Sequence, residues 1–208
     1  MNKNKILQDL KFLSKYDKNQ PKTLYGFKTY GADKHKFVLN PTISEKDVRK
    51  FEEEFQIELP ADYIEFITQI GNGGAGPGNG LFPLDKWNCE LENTNKDFLK
   101  TPFPHIKEWN IENPFHVKSQ EFTEFEHNYY ASEHVTGAIR ISHYGCGIMY
   151  MLVVSGLEKG HIWVDDRCSD YGICPATKES PTFEKWYMDW LEKSVNAIQP
   201  VKKWYSFF

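Results

Sequence analysis

The sequence predicts an α+β fold in a single domain, with a largely antiparallel sheet. Three observations carry this. Apolar residues recur at helical spacing through the first third of the chain. Three short apolar runs between residues 137 and 164 are separated by glycine-containing turns, too short for anything but antiparallel pairing. A final amphipathic segment then carries a stripe of aromatic residues.

Taken in order, Ile6, Leu7, Leu10 and Leu13 mark a first short helix, followed by lysine-rich connecting sequence. Residues 23–30 form a candidate strand interrupted by Gly26. Ser44 opens a clear helix, because Ser44 and Asp47 are placed as in a capping box. Val48, Phe51 and Phe55 give that helix one apolar side, with Glu52, Glu53 and Glu54 left outside. Gln56 to Leu59 turn the chain into a second helix, with Pro60 at its first position, where a missing N–H costs nothing. Tyr63, Phe66, Ile67 and Ile70 line its core side. The two helices are expected to form a hairpin. Pro102, Pro104 and Pro114 break any long element in the irregular stretch 85–135, apart from a short acidic helix over Ser119 to Ala131 bearing Phe122, Phe125 and Tyr129.

The strands are expected at Gly137 to Ser142, Gly147 to Val154 and Gly160 to Val164, with turns at His143–Gly145 and Ser155–Gly160. Met149 to Val154 is nearly all apolar and belongs at the centre of the sheet. Ser180 is expected to cap the last helix, with Pro181 inside it. Phe183, Trp186, Tyr187, Trp190 and Leu191 face the core from there. The organisation is a basic, loosely attached N-terminal arm over 1–43, the α+β domain over 44–198 and a C-terminal tail over 199–208.

The segment joining the second helix to the rest holds six of the chain's 14 glycines, at positions 71, 73, 74, 76, 78 and 80. Gly71, Gly73 and Gly76 spell the G-x-G-x-x-G of a dinucleotide loop. That fingerprint works between a strand and a following helix, so that the pyrophosphate meets the helix N-terminus. Here the glycines follow a helix, Gly71 stands where a glycine caps one, and Pro77-Gly78 prevents an immediate second helix. The pattern favours a helix cap and a tight loop over a nucleotide site, and no cofactor is expected.

Composition narrows the partners. Aromatic residues make up 15% of the 208 residues, which argues against disorder. The net charge of −4 is unevenly spread: residues 1–40 carry +6, residues 41–134 carry −10, and the remainder balances. An acidic middle repels phosphates, so direct nucleic-acid binding there is not expected, and a basic protein is the better match. No apolar run reaches the roughly 18 residues a membrane span needs. The lysine-rich start lacks the continuous apolar core of a signal peptide, so a cytoplasmic protein is expected. Cys89, Cys146, Cys168 and Cys174 contain no C-x-x-C pair, which leaves structural zinc poorly supported.

The order of the motifs carries a resemblance. A glutamate-rich helix leads to Leu59-Pro60-x-x-Tyr63-x-x-Phe66, then to Gly71-Asn72-Gly73-Gly74 and Gly76-Pro77-x-x-Gly80. Later come Gly145, Gly160-x-x-Trp163 and Phe183-x-x-Trp186-Tyr187-x-x-Trp190-Leu191. Together, over about residues 44–195, these resemble the SUKH superfamily, in the branch named for a yeast regulator of cell-wall synthesis. The resemblance implies a central antiparallel sheet flanked by helices, with the motif residues acting mainly as fold-makers. It also implies a role: bacterial members look like immunity proteins that bind a cognate toxin domain, often a nuclease or deaminase. A non-catalytic regulatory scaffold remains an alternative, as does a small-ligand binder or enzyme using the glycine loop.

Residue by residue, chemistry is thin. His143 and Cys146 lie three apart, but neighbours in a turn rarely hold a thiol–imidazole pair, and no orienting acid follows by spacing. Asp165, Asp166 and Asp170 form a carboxylate cluster at a strand end, a pattern shared by cation sites and exposed turns. No catalytic or metal residues are assigned. Partner binding is assigned to an acidic face instead: Glu52, Glu53, Asp62 and Glu65 on the helix hairpin, and Asp85, Asp165 and Asp166 beyond it. Trp87 is expected as an exposed aromatic anchor. Oligomeric state is not legible.

Overall fold

The structure, a computed structural model, describes residues 1–18, 26–92, 94–111 and 119–198, the side chains of 119–123 excepted. The tail 199–208, Pro114, the Phe122 side chain and the first part of the candidate strand at 23–30 lie outside that set. The described elements are α1 (Lys3–Tyr16), α2 (Ala32–His35), α3 (Glu45–Phe55), α4 (Ala61–Gln69), α5 (Ser119–Tyr129), β1 (Ala138–Gly145), β2 (Ile148–Val153), β3 (Ile162–Asp166), β4 (Gly172–Pro175) and α6 (Phe183–Ile198), with short 3-10 turns between some of them. The strands form one antiparallel meander in the order β1-β2-β3-β4. This is the expected α+β architecture.

The sheet extends further along the chain than its apolar runs indicated. β1 continues through His143 to Gly145, and the hairpin turn falls at Cys146 and Gly147, both at positive φ. β4 was not expected at all. It spans four residues ending in proline, too short to show alternation, and it is held by pairing with β3 from Trp163↔Pro175 to Asp166↔Gly172. Residues 26–30 form a bend and turn, which removes the described part of the candidate strand. The expected central strand is correct: Met149, Met151, Leu152 and Val153 of β2 are all buried.

Local signals set the helix ends. Ser44 Oγ accepts the Asp47 N–H at 3.2 Å and donates to Asp47 Oδ2 at 2.7 Å, closing the N-terminus of α3. Pro60 stands one residue before α4, with extended ψ, and serves as its cap position. Gly71 donates its N–H to Phe66 O at 3.0 Å as α4 ends. The last helix begins later than expected. Thr182 Oγ1 accepts the Lys185 N–H, so threonine and not Ser180 closes α6. Ser180 and Pro181 pass before it, and Pro181 O accepts the Ile162 N–H of β3.

Residues 3–16 are packed, not loosely attached. Ile6, Leu10 and Leu13 fall on one side of α1 and are buried in the same core as α4 and α6. That core is rich in rings. Phe66 meets Phe183 at 5.2 Å and Tyr187 at 4.7 Å, and Tyr63 meets Phe183 at 5.0 Å, all tilted or edge-on as aromatic quadrupoles favour.

The glycine loop lies along the outer edge of β1. Gly74 and Leu81 exchange two backbone hydrogen bonds of 2.9 and 2.7 Å, Phe82 N–H donates to Ile141 O, and Asn79 N–H donates to His143 O. Tyr187 Oη of α6 donates to Ala75 O at 3.1 Å. The loop thus covers a sheet edge that would otherwise present free N–H and C=O groups. Gly74 shows why glycine is needed: its φ is +96°, and an added Cβ would sit 2.5 Å from Val38 O.

Candidate partner-binding surface

The structure divides the eight residues assigned to a partner. Glu53 and Asp85 are exposed, on α3 and on the 3-10 turn Leu84–Lys86. Asp166 is half-buried at the end of β3. Glu52, Asp62 and Glu65 are half-buried and bonded within the chain. Glu52 Oε1 accepts the Leu59 N–H at 2.7 Å across the helix turn. Asp62 Oδ2 accepts the Glu184 N–H at 2.9 Å, a cap for α6 supplied from α4. Glu65 Oε2 accepts from the Met1 amino nitrogen at 2.8 Å, and that bond raises the ammonium pKa above its ordinary value.

Two assignments are corrected. Trp87 is 8% exposed. It packs against Phe55 at 5.0 Å, Phe98 at 5.9 Å and Phe51 at 6.4 Å, so it is a core residue joining α3 to the irregular segment. Asp165 is 5% exposed and faces inward from β3. Its alternation with half-buried Asp166 follows from the pleat, which sends successive side chains to opposite faces.

Asp165 belongs to a buried charge cluster that the sequence did not announce. Arg167, 3% exposed, grips it with Nε–Oδ1 at 2.7 Å and Nη2–Oδ2 at 2.8 Å. The Nη1 of Arg167 also donates to the carbonyls of Tyr129 and Ala131, at 2.8 and 3.0 Å, fixing the end of α5. Arg140 enters from β1, donating Nη1 to Cys89 O at 2.8 Å and Nη2 to Asp165 Oδ2 at 3.4 Å. Burial pulls the Arg140 guanidinium below its usual pKa, while Asp165 pulls it back up. A cleft of about 540 Å³ opens above, lined by Arg140 and Arg167 below and by Glu90, Glu92, Glu133 and Tyr130 around it.

A second concavity, of about 550 Å³, lies between the glycine loop, the sheet and α6. Its wall is a ladder of rings: Tyr30 stacks on Tyr144 at 4.6 Å, Tyr144 meets Tyr150 at 6.1 Å, and Tyr150 meets Trp186 at 5.0 Å. Tyr30 and Tyr144 come from segments 114 residues apart, so no local pattern could have paired them.

The His143 ring contacts Asn79 Nδ2 at 3.4 Å, and Cys146 is exposed in the hairpin turn. Burial pushes the Cys168 and Cys174 thiols up in pKa, away from the reactive thiolate. Among the described residues, no three His, Cys, Asp or Glu side chains are grouped to hold a metal ion. Among them also, no helix is long and apolar enough to cross a membrane.

Comparison with curated proteins and with solved structures gives no match for this chain. Comparison with protein families does: the description SMI1 / KNR4 family (SUKH-1) matches residues 42–189. That span begins two residues before the α3 cap, ends within α6, and takes in α3, α4, the glycine loop and the whole sheet. It covers well over half of the 208 residues, and the chain belongs to the SMI1/KNR4 family (SUKH-1) of the SUKH superfamily.

Proposed function

We propose that this chain is an immunity protein. It binds a cognate protein toxin of a polymorphic or contact-dependent system, a nuclease or deaminase, and neutralises it by contact without catalysis of its own. The observation that carries this reading is the family match over residues 42–189. The surface adds support. Residues 41–134 carry a net charge of −10, and Glu53 and Asp85 project from neighbouring elements of that region. A toxin acting on nucleic acid needs a basic groove for phosphates. An acidic protein surface fits such a groove, and the charge speeds and orients the encounter.

Glu53, Asp85 and Asp166 are the contact carboxylates in this proposal, with Glu52, Asp62 and Glu65 contributing field from their bonded positions. The test is an affinity titration against the toxin encoded beside the gene, at two salt concentrations. Binding that weakens with salt is expected, together with loss of affinity in Glu53→Lys and Asp166→Lys proteins that still fold. Unchanged affinity in both variants removes this surface from the proposal. Absence of any binding removes the immunity role itself.

A further inference from the structure

The floor of the cleft above Asp165 carries more positive charge than it neutralises. Arg140 and Arg167 bring two guanidinium groups, and among the described residues Asp165 is the one carboxylate within 4 Å of either. Arg167 takes both oxygens at short range. Arg140 is left with one carbonyl and one long contact at 3.4 Å. A guanidinium has five N–H donors, and Arg140 Nε has no partner although the residue is only 8% exposed. Arg140 shares its one close carboxylate with Arg167, and Glu90 of the same cleft acts on it only from beyond 4 Å.

The cleft supplies space beside that charge, about 540 Å³ of it. Nε is closed to solvent, so a ligand there reaches the guanidinium through its Nη groups. A planar guanidinium fork matches a carboxylate. The rim bears on selectivity. Glu90, Glu92 and Glu133 are exposed around the opening. They repel a dianion such as phosphate and attract a positive group placed beside the incoming carboxylate.

We propose that this cleft binds one carboxylate carried next to a positive charge, as in a free amino acid or in adjoining acidic and basic side chains of a protein. The proposal is independent of the toxin reading. The test is an NMR titration of the full chain with four probes: acetate, glycine, an Asp-Lys dipeptide blocked at both ends, and phosphate. Saturable shifts at Tyr130 and at the Arg140 side chain are expected with acetate and with glycine or the dipeptide. Which of those last two binds tighter identifies the source. Arg140→Met should weaken that affinity at least about tenfold, the worth of a hydrogen bond to a charged group. Glu90→Gln with Glu133→Gln, both on the surface, should tighten acetate binding, and this holds even if the Arg140 variant does not fold. No saturable response to any carboxylate overturns the proposal. So does phosphate binding as tightly as acetate, or a folded Arg140→Met protein that responds as the parent does.

Discussion

Replacing Arg167 with methionine tests the buried charge cluster most directly. The substitution removes four hydrogen bonds: two to Asp165, at 2.7 and 2.8 Å, and two to the carbonyls of Tyr129 and Ala131, at 2.8 and 3.0 Å. It leaves the Asp165 carboxylate buried with Arg140 at 3.4 Å as its remaining cation. Breaking a buried pair from one side costs about 3–5 kcal/mol, because the surviving charge cannot return to water. Arg140 retains part of the compensation, which places the expected loss near the lower end, about 3 kcal/mol. For a chain of this size that corresponds to a Tm drop of roughly 6–12 °C. Arg140→Met should behave differently. It removes the surplus positive charge and leaves a neutral Arg167–Asp165 pair, losing one strong hydrogen bond to Cys89 O. Its expected change is within about 1 kcal/mol of the parent. Urea unfolding at neutral pH, followed by tryptophan fluorescence, measures both, with an unchanged m-value as the check on two-state behaviour. An Arg167→Met protein as stable as the parent, or an Arg140→Met protein as unstable as Arg167→Met, would refute the assignment of Arg167 as the structural partner and Arg140 as the surplus.

Four further outcomes are expected. His35 is buried between Phe37 and Trp190, its Nδ1 accepting the Phe37 N–H, and burial lowers its pKa from 6.5 to about 4. The unfolded chain therefore takes up a proton that the folded one refuses, so stability is full above pH 6.5 and falls by at most about 3 kcal/mol between there and pH 4. A flatter pH profile of unfolding in His35→Asn checks this. Trp87→Ala should cost about 3–5 kcal/mol as a core cavity, read by denaturant midpoint; a stable variant that only loses partner affinity would restore Trp87 as a surface anchor. Gly74→Ala should destabilise by more than about 1 kcal/mol, since φ is +96° and its Cβ would lie 2.5 Å from Val38 O; a Tm equal to the parent's would contradict that geometry. Tyr187→Phe removes the bond to Ala75 O, for about 1 kcal/mol and faster hydrogen exchange in the glycine loop.

What the sequence determined by itself is whatever is fixed within a few residues of chain. The Ser44 cap, the α3 and α4 apolar faces, the apolar β2 strand and the aromatic stripe of α6 all depend on nearest-neighbour spacing, and they stand where spacing places them. The order of these motifs also carried the family. The rest was decided across long separations. Nothing local distinguishes Asp165 from Asp166, yet a one-residue step in the pleat puts one against two arginines and leaves the other half-exposed. Trp87 reads as an anchor in an irregular segment until Phe51, Phe55 and Phe98 close over it. β4 exists because β3 and Trp109 pair with it, not because four residues ending in proline favour a strand. The cleft over Arg140 joins β1, β3, the end of α5 and the 90–92 segment. Charge balance in such a place depends on which side chains share a low-dielectric interior, and only the tertiary structure decides that.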